Sequence, residues 1–149
     1  MENEEKIQIL QFTYAGALAD AVLQMGREGI LEKVTRQKKE EQMLTGKMKA
    51  EQFGITQPEE VFQKLSEIFN CASWEIVSEA DGFFSETKAC KLCGFAKKIG
   101  AQKPCNLYCL DPMEGMVKGL NDSLNFIVCE TLWDGQKCKV QVKGNHGSR

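Results

Sequence analysis

Histidine is nearly missing from this chain. There is one in 149 residues, His146, and it stands in a polar C-terminal stretch. Histidine is the usual activator of a nucleophilic cysteine, so its scarcity disfavours a Cys–His catalytic pair. The sequence also has no glycine-rich phosphate loop, no H-E-x-x-H and no G-x-S-x-G. These absences remove the commonest signatures of nucleotide-binding proteins, zinc proteases and serine hydrolases.

The chain also lacks a strong charge of one sign and a long apolar run. Lys and Arg number 19 against 21 Asp and Glu, a net charge of −2, whereas general nucleic-acid binders are usually basic. No apolar run approaches the ~18 residues of a membrane helix. The acidic residues 1–5 do not resemble a secretory signal. We therefore expect a cytoplasmic protein with reduced thiols that binds neither nucleic acid nor membrane.

Cysteine, in contrast, is abundant, and four of the seven cysteines fall within twenty residues. Cys90, Cys93, Cys105 and Cys109 form the pattern C-x2-C-x11-C-x3-C, and Asp111 follows two residues later. Scattered thiols are ordinary small core residues. Four of them this close to a carboxylate indicate a metal site, a redox site or a nucleophile, and the residues alone leave all three open.

Apolar spacing predicts a helical N-terminal half. Helices are expected at 5–25 and 30–53, and a third after Thr56, where Thr56 and Glu59 form a capping-box pattern around Pro58.

Period-two patterns predict two β-hairpins in the second half. One turns at Ala80-Asp81-Gly82 and the other at Asp134-Gly135, with short helices at 89–99 and 104–119 between them. Because hairpins imply antiparallel pairing, the predicted class is α+β: N-terminal helices, then a hairpin, two short helices and a hairpin forming an antiparallel sheet. We expect a single domain over 1–149, helical at 5–70, mixed at 71–143 and disordered at 144–149.

A four-thiolate metal site is one interpretation of the cysteines. Cys90 and Cys93, followed by Gly94, resemble a zinc knuckle, and Cys105 and Cys109 share a helix face at i and i+4. Such a set would bind zinc or an iron–sulfur cluster. The alternative is that reduced thiols simply lie on the inner faces of two short helices.

A nucleophilic thiolate is another interpretation. A free thiol has a pKa of ~8.5 and needs activation. Cys105 follows Pro104 at a predicted helix start, where backbone N–H groups favour a thiolate. Nearby lysines such as Lys91 and Lys103 would act in the same direction. Asp111 is either an acid partner or a helix cap before Pro112.

One stretch of the chain carries a family resemblance. It reads Cys90, Gly100, Cys105-Asn106-Leu107-Tyr108-Cys109-Leu110-Asp111, Gly119-Leu120-Asn121, Phe126, Thr131-Leu132, Gly135 and Cys138. Over residues 88–143 the chain thus resembles the L-2-amino-thiazoline-4-carboxylic acid hydrolase-like family. The order of helices and hairpins also resembles the broader 4-vinyl-reductase-type ligand-binding fold, in which two short helices between two hairpins enclose an apolar pocket.

The resemblance implies a small-molecule hydrolase that opens a cyclic C–N or C–S bond. It implies Cys109 as nucleophile or ligand, Asp111 as base or orienting group, and Cys90 as support from the neighbouring helix. An enzyme thiolate, or water, would add to the ring carbon, and an acid would assist departure of the ring group.

Four further residues are expected to bind the substrate. A carboxylate substrate needs a cation, for which Lys91 or Lys103 is predicted, and Tyr108 and Cys138 are predicted as further contacts. The alternative function is a non-enzymatic sensor domain that holds a small ligand or a metal. A homodimer formed through the apolar stripe of the first helix is also compatible with the sequence.

Overall fold

Three helices form the N-terminal half of the protein in a computed structural model that describes residues 1–144. They are α1 (Asn3–Arg27), α2 (Leu31–Gln52) and α3 (Pro58–Phe69). Gly29 and Gly54 separate them at φ +72° and +68°, a region in which glycine alone is unstrained. The helices predicted at 5–25 and 30–53 are confirmed to within two residues at each end.

The cap of α3 lies one residue later than the sequence pattern predicts. The N-cap is Gln57, and the partner carboxylate is Glu60 instead of Glu59. Glu60 Oε1 accepts hydrogen bonds from the Gln57 amide at 2.9 Å and from the Thr56 hydroxyl at 2.9 Å. Pro58 explains the shift, because its fixed φ and missing N–H suit the first helical position. Thr56 therefore supports the cap from outside the helix.

A four-stranded antiparallel sheet follows, in the order β1-β2-β4-β3. Its strands are β1 (Glu75–Glu79), β2 (Gly82–Thr87), β3 (Leu124–Glu130) and β4 (Cys138–Gly144). The two predicted hairpins are both present, and β2 pairs with β4 to join them into one sheet. The α+β class with N-terminal helices is thereby confirmed.

The second hairpin is wider than the sequence pattern predicts. Asp134-Gly135 is not a two-residue turn between strands, because β3 ends at Glu130 and β4 begins at Cys138. The connecting loop is closed from within by Glu130, whose Oε2 accepts from the amides of Gln136 at 2.8 Å and Lys137 at 3.2 Å. A carboxylate that satisfies loop amides stabilises a longer connection.

Two short helices stand between the hairpins, as predicted. The first is α4 (Lys91–Ile99), which ends at the left-handed Gly100. The second helical stretch begins at Cys105 and widens into a π-helical segment, Asn106–Leu110, before continuing as α5 (Asp111–Leu120). The expected disordered tail, apart from Gly144, lies outside the described residues.

Glycines let α5 pack directly on α2. A Cβ added at Gly46 would overlap the carbonyl of Gly115, and one at Gly115 would overlap the carbonyl of Gln42. Only residues without a side chain allow two helix backbones to approach this closely. The other side of α5 completes the core with Met113, Met116 and Val117, under the inner face of the sheet.

The first turns of α1 extend beyond this core. Residues 1–10 are all exposed, including Ile7 at 50% and Leu10 at 67%. The homodimer expected from this stripe stays a prediction. Within residues 1–144, none of the helices combines the length and the apolar character that crossing a bilayer requires.

Candidate functional site

A cavity of about 370 Å³ lies between the N-terminal helices and the cysteine-bearing part of the chain. Most of its lining is apolar, with Phe69, Trp74, Leu110, Met113 and Met116 among the larger side chains. The lining includes six of the seven cysteines: Cys71, Cys90, Cys93, Cys105, Cys109 and Cys138. The seventh, Cys129, is exposed.

The six thiols reach the cavity from separate elements. Cys71 follows α3, Cys90 and Cys93 begin α4, and Cys138 is the first residue of β4. Cys105 and Cys109 come from the start of the π-helical segment and from within it. The tertiary structure therefore adds Cys71 and Cys138 to the four cysteines that cluster in the sequence.

The π-helical segment has an identifiable cause in Pro112. Proline has no N–H to donate to the preceding turn, so a carbonyl there is left without its helical partner. The wide turn is closed by the Asp111 amide, which donates to the Asn106 carbonyl, and the Leu107 carbonyl instead accepts from Gln42 Nε2 at 3.4 Å. Single π-helical turns occur frequently at functional sites, and this one presents Cys109 to the cavity.

Burial raises the pKa of all six cavity thiols and so favours their protonated form. It raises the pKa of Cys105 to about 12, that of Cys71 to about 11 and that of Cys109 well above its usual value. Neighbouring cysteines add to the effect, because a second negative charge nearby would be unfavourable. The thiolate expected at Cys105 is therefore a wrong prediction: this residue has helical φ and ψ and no side-chain cap bond, so helix amides do not offset its burial.

Cys90 and Cys93 differ from the other thiols of the cavity. Cys90 is the N-cap of α4, and its Sγ accepts a hydrogen bond from the Cys93 amide at 3.4 Å. Burial still raises the pKa of both thiols. At Cys90 the amides of Leu92 and Cys93 oppose this rise, and at Cys93 the charges of Lys97 and Lys103 do so.

The expected four-thiolate metal site is not formed. Among residues 1–144, no group of three or more Cys, His, Asp or Glu side chains is arranged to hold a metal ion. Cys90, Cys93, Cys105 and Cys109 line one cavity, but Cys90 Sγ is turned back to the amide of its own helix. The zinc or iron–sulfur interpretation of the pattern is therefore without support from the described residues.

Asp111 is not part of the cavity wall, although it was the predicted base beside Cys109. It is 3% exposed, and its Oδ1 accepts from Asn106 Nδ2 at 3.4 Å. Burial raises the pKa of this carboxyl, while Asn106 and the charge of Lys39 on α2 partly oppose that rise. Residues two apart on a helix do not face the same side, so Cys109 and Asp111 are not brought together.

Two of the four predicted substrate contacts line the cavity. Tyr108 and Cys138 do, whereas Lys91 and Lys103 do not. Lys91 is exposed, and Lys103 pairs with Asp134 at 3.7 Å in the loop before β4. The cations of the cavity come from α2 instead, at Lys38 and Lys49, because the cavity extends between the helices of the N-terminal half and not only over the cysteine motif.

The polar groups of the cavity are few. Gln42 is 6% exposed, and its Oε1 has no hydrogen-bond partner within the described part of the chain. Lys38 pairs with Glu41 at 2.8 Å. Tyr14 also lines the cavity, and its pKa is raised by burial and by the nearby Cys71 and Tyr108. The sequence did not identify Gln42 and Lys49 as cavity residues. On a helix as rich in charge as α2, polar residues that line a cavity have the same pattern as polar residues that face solvent.

Comparison with protein-family models, with curated proteins and with solved structures gives no match for this chain.

Proposed function

We propose that this protein is a binding domain for a small, mainly apolar molecule held in the cysteine-lined cavity. The observation that carries the proposal is the cavity itself, about 370 Å³ with an apolar wall and a few convergent polar groups. Sites for small organic ligands have this character and span roughly 300–1,000 Å³. A sensor domain that binds its ligand without catalysis needs no chemical groups beyond such a cavity.

Hydrolysis would require more than this cavity provides. No carboxylate lines the cavity among residues 1–144, and His146 lies outside that range. Burial holds the pKa of Cys109 well above its usual value, so its thiol is protonated at neutral pH. A thiol is a weak nucleophile until it ionises. The site therefore supports binding better than the bond-opening reaction that the family resemblance implies.

The polar groups indicate what the ligand presents to the protein. The unpartnered Gln42 Oε1 is an acceptor, and leaving a buried acceptor unpaired costs about 1–3 kcal/mol. A ligand with an N–H or O–H donor would recover that energy. Lys49 is the cation of the cavity that forms no ion pair within residues 1–144, so the site accepts a neutral or anionic ligand more readily than a cationic one.

The test is a titration with prodan, a neutral naphthalene dye whose emission shifts in apolar surroundings. Cys109→Phe extends a ring from the π-helical segment into the cavity and is expected to weaken prodan binding at least tenfold. Cys129→Phe is the matched control, because it adds the same ring to an exposed thiol outside the cavity. Circular dichroism confirms that both variants are folded.

Two results would overturn the proposal. Equal prodan affinities for the folded Cys109→Phe and Cys129→Phe variants would show that the dye does not enter the cavity. Turnover of 2-amino-thiazoline-4-carboxylate by the wild-type protein, lost in Cys109→Ser, would replace the binding domain with the hydrolase.

A further inference from the structure

The first turn of α4 places two thiols next to each other. Cys90 is the N-cap and Cys93 is the third residue of the helix, and Cys90 Sγ lies 3.4 Å from the backbone nitrogen of Cys93. That nitrogen belongs to Cys93, so the Cys90 sulfur already lies at hydrogen-bond distance from the residue it would join. Disulfides need Cα atoms about 4.4–6.8 Å apart, a separation that residues three apart at a helix start provide without backbone movement.

We propose that Cys90 and Cys93 are an oxidisable dithiol, which closes to a disulfide by exchange with a low-molecular-weight disulfide. The further statement that this closure regulates ligand binding rests on the proposed function, because both thiols line the same cavity. The metal interpretation used both thiols as ligands, but no metal-holding group is formed among residues 1–144.

The two thiols have different parts in the exchange. Cys90 is partly exposed, whereas Cys93 is 5% exposed. Cys90 is therefore the attacking thiol and Cys93 the resolving thiol. The amides at the start of α4 stabilise a negative sulfur at Cys90, and Lys97 and Lys103 do the same at Cys93. At Cys105 and Cys71 the charges of Lys103 and Lys91 also oppose the effect of burial, but the pKa values are still raised to about 12 and about 11.

The exchange balances in two steps. The Cys90 thiolate attacks one sulfur of the external disulfide, an S–S bond forms, and the external S–S bond breaks. The departing thiolate takes up the proton that Cys90 lost. The Cys93 thiolate then attacks the Cys90 sulfur, and the second external thiolate leaves with the proton of Cys93. The protein loses two electrons and two protons, and one external disulfide becomes two thiols.

Closing the pair changes the cavity wall. Two S–H groups are replaced by one S–S bond, and Cys90 Sγ must turn from the Cys93 amide towards the Cys93 sulfur. Both residues hold the start of α4, whose Leu92 lines the same cavity. We therefore expect the affinity for a cavity ligand to change at least threefold between the dithiol and disulfide states.

Trypsin makes the disulfide directly visible. Lys91 lies between the two cysteines, so cleavage after Lys88, Lys91 and Lys97 releases Ala89-Cys90-Lys91 and Leu92–Lys97 as separate peptides. The folded protein is equilibrated with reduced and oxidised glutathione, free thiols are blocked with iodoacetamide, and the digest is analysed by mass spectrometry. The expected result is one cross-linked species joining these two peptides.

Control variants decide whether the pair is specific. Cys90→Ser and Cys93→Ala should each abolish the cross-linked species. Cys71→Ser and Cys129→Ser should retain it. The proposal is overturned if oxidised glutathione in excess leaves both thiols open to iodoacetamide, or if Cys90 is recovered joined to Cys105, Cys109 or Cys138.

A prodan titration of the same samples tests the regulatory statement. An unchanged affinity with the disulfide formed would overturn the regulation. Absence of prodan binding to the reduced wild-type protein would count against the proposed function, while the peptide cross-link would still decide whether the dithiol is oxidised.

Discussion

Two helical stretches between the hairpins supply cysteines to the cavity, α4 and the π-helical segment that continues into α5, but they begin in opposite ways. α4 begins at Cys90, which has extended φ and ψ of −145° and 119° and accepts the Cys93 amide. The stretch leading to α5 begins at Cys105, which is already helical at −59° and −46° and has no side-chain cap bond. A cysteine sulfur can accept hydrogen bonds from the first amides of a helix only when the residue occupies the non-helical N-cap position.

The surroundings of the two helices differ as well. The outer face of α4 is exposed, and Gly94 on it has nothing within 4 Å of the position of a Cβ. α5 is enclosed by α2 on one side and by the core on the other, and its Gly115 contacts the backbone of α2. The start of α4 is therefore accessible to chemical modification, whereas α5 stabilises the packing of the core.

The largest expected effect tests this difference in packing. Gly115→Ala places a methyl group against the carbonyl of Gln42, so α2 and α5 must separate. Overpacking of this kind costs about 1–3 kcal/mol, and we expect the upper end because the obstacle is backbone. The measurement is the free energy of unfolding in urea.

Gly94→Ala is the matched control on α4. Its new methyl group meets open space, and alanine is about 0.8–1 kcal/mol better than glycine in a helix interior. The control should therefore be as stable as the wild type or more stable. Equal losses of stability in both variants would contradict the assignment of α5 as the packed helix.

The second effect is a dependence of stability on pH. The folded-state pKa of Cys105 is raised to about 12, so the folded protein holds this proton more tightly than the unfolded chain. The stabilisation is complete below the unfolded pKa of about 8.5 and is lost as the pH rises from there towards about 12. Above about pH 9, wild-type stability should fall faster than that of Cys105→Ala by about 1.4 kcal/mol per pH unit.

Cys90→Ala sharpens the same comparison. The helix amides offset part of the burial at Cys90, so removing this thiol should change the alkaline slope less than removing Cys105. Urea unfolding at several alkaline pH values, with a reductant present, measures both slopes. A larger change of slope in Cys90→Ala would mean that the capping amides do not act on its sulfur.

The third effect is kinetic. At about pH 8, iodoacetamide should modify Cys90 at least about tenfold faster than Cys105, because alkylation follows the thiolate fraction and access. Cys90 is partly exposed and capped by amides, whereas Cys105 is 8% exposed. Quantitative peptide mass spectrometry gives both rates. The difference between the two modification rates should vanish when the protein is unfolded in urea. If the difference persists there, it is caused by the local sequence and not by the fold.

The smallest expected effect concerns the first residue of α5. Asp111→Asn should leave prodan affinity unchanged, because Asp111 does not line the cavity. Burial raises the pKa of this carboxyl, so its charge opposes folding above that pKa, and the neutral amide should change stability by less than about 1 kcal/mol. A large loss of prodan binding in this variant would bring Asp111 back into the site.

Much of the fold follows from local patterns. The long helices follow from apolar periodicity and from glycines at their ends, and the hairpins follow from period-two alternation. The errors have local causes too: Pro58 moved the cap of α3 by one residue, and Glu130 satisfied the amides of a loop that resembled a tight turn. The π-helical segment was missed because helical periodicity does not reveal a carbonyl left free by Pro112.

The candidate site was only partly predictable. The motif identified Cys90, Cys93, Cys105, Cys109 and Tyr108, all of which line the cavity. It did not identify Gln42 or Lys49, which lie more than forty residues before the motif and approach it only through the packing of α2. Spacing along the chain also grouped Asp111 with Cys109, although the helix turns their side chains to different sides.

The sequence by itself determined the α+β class, the order of the elements and the concentration of thiols near two helix starts, because these depend on residues close together in the chain. The tertiary structure alone decided that six thiols share one cavity, that their burial raises their pKa values, and that Asp111 lies outside. The burial of a residue depends on which elements, distant in the sequence, pack over it. No local sequence pattern specifies that packing.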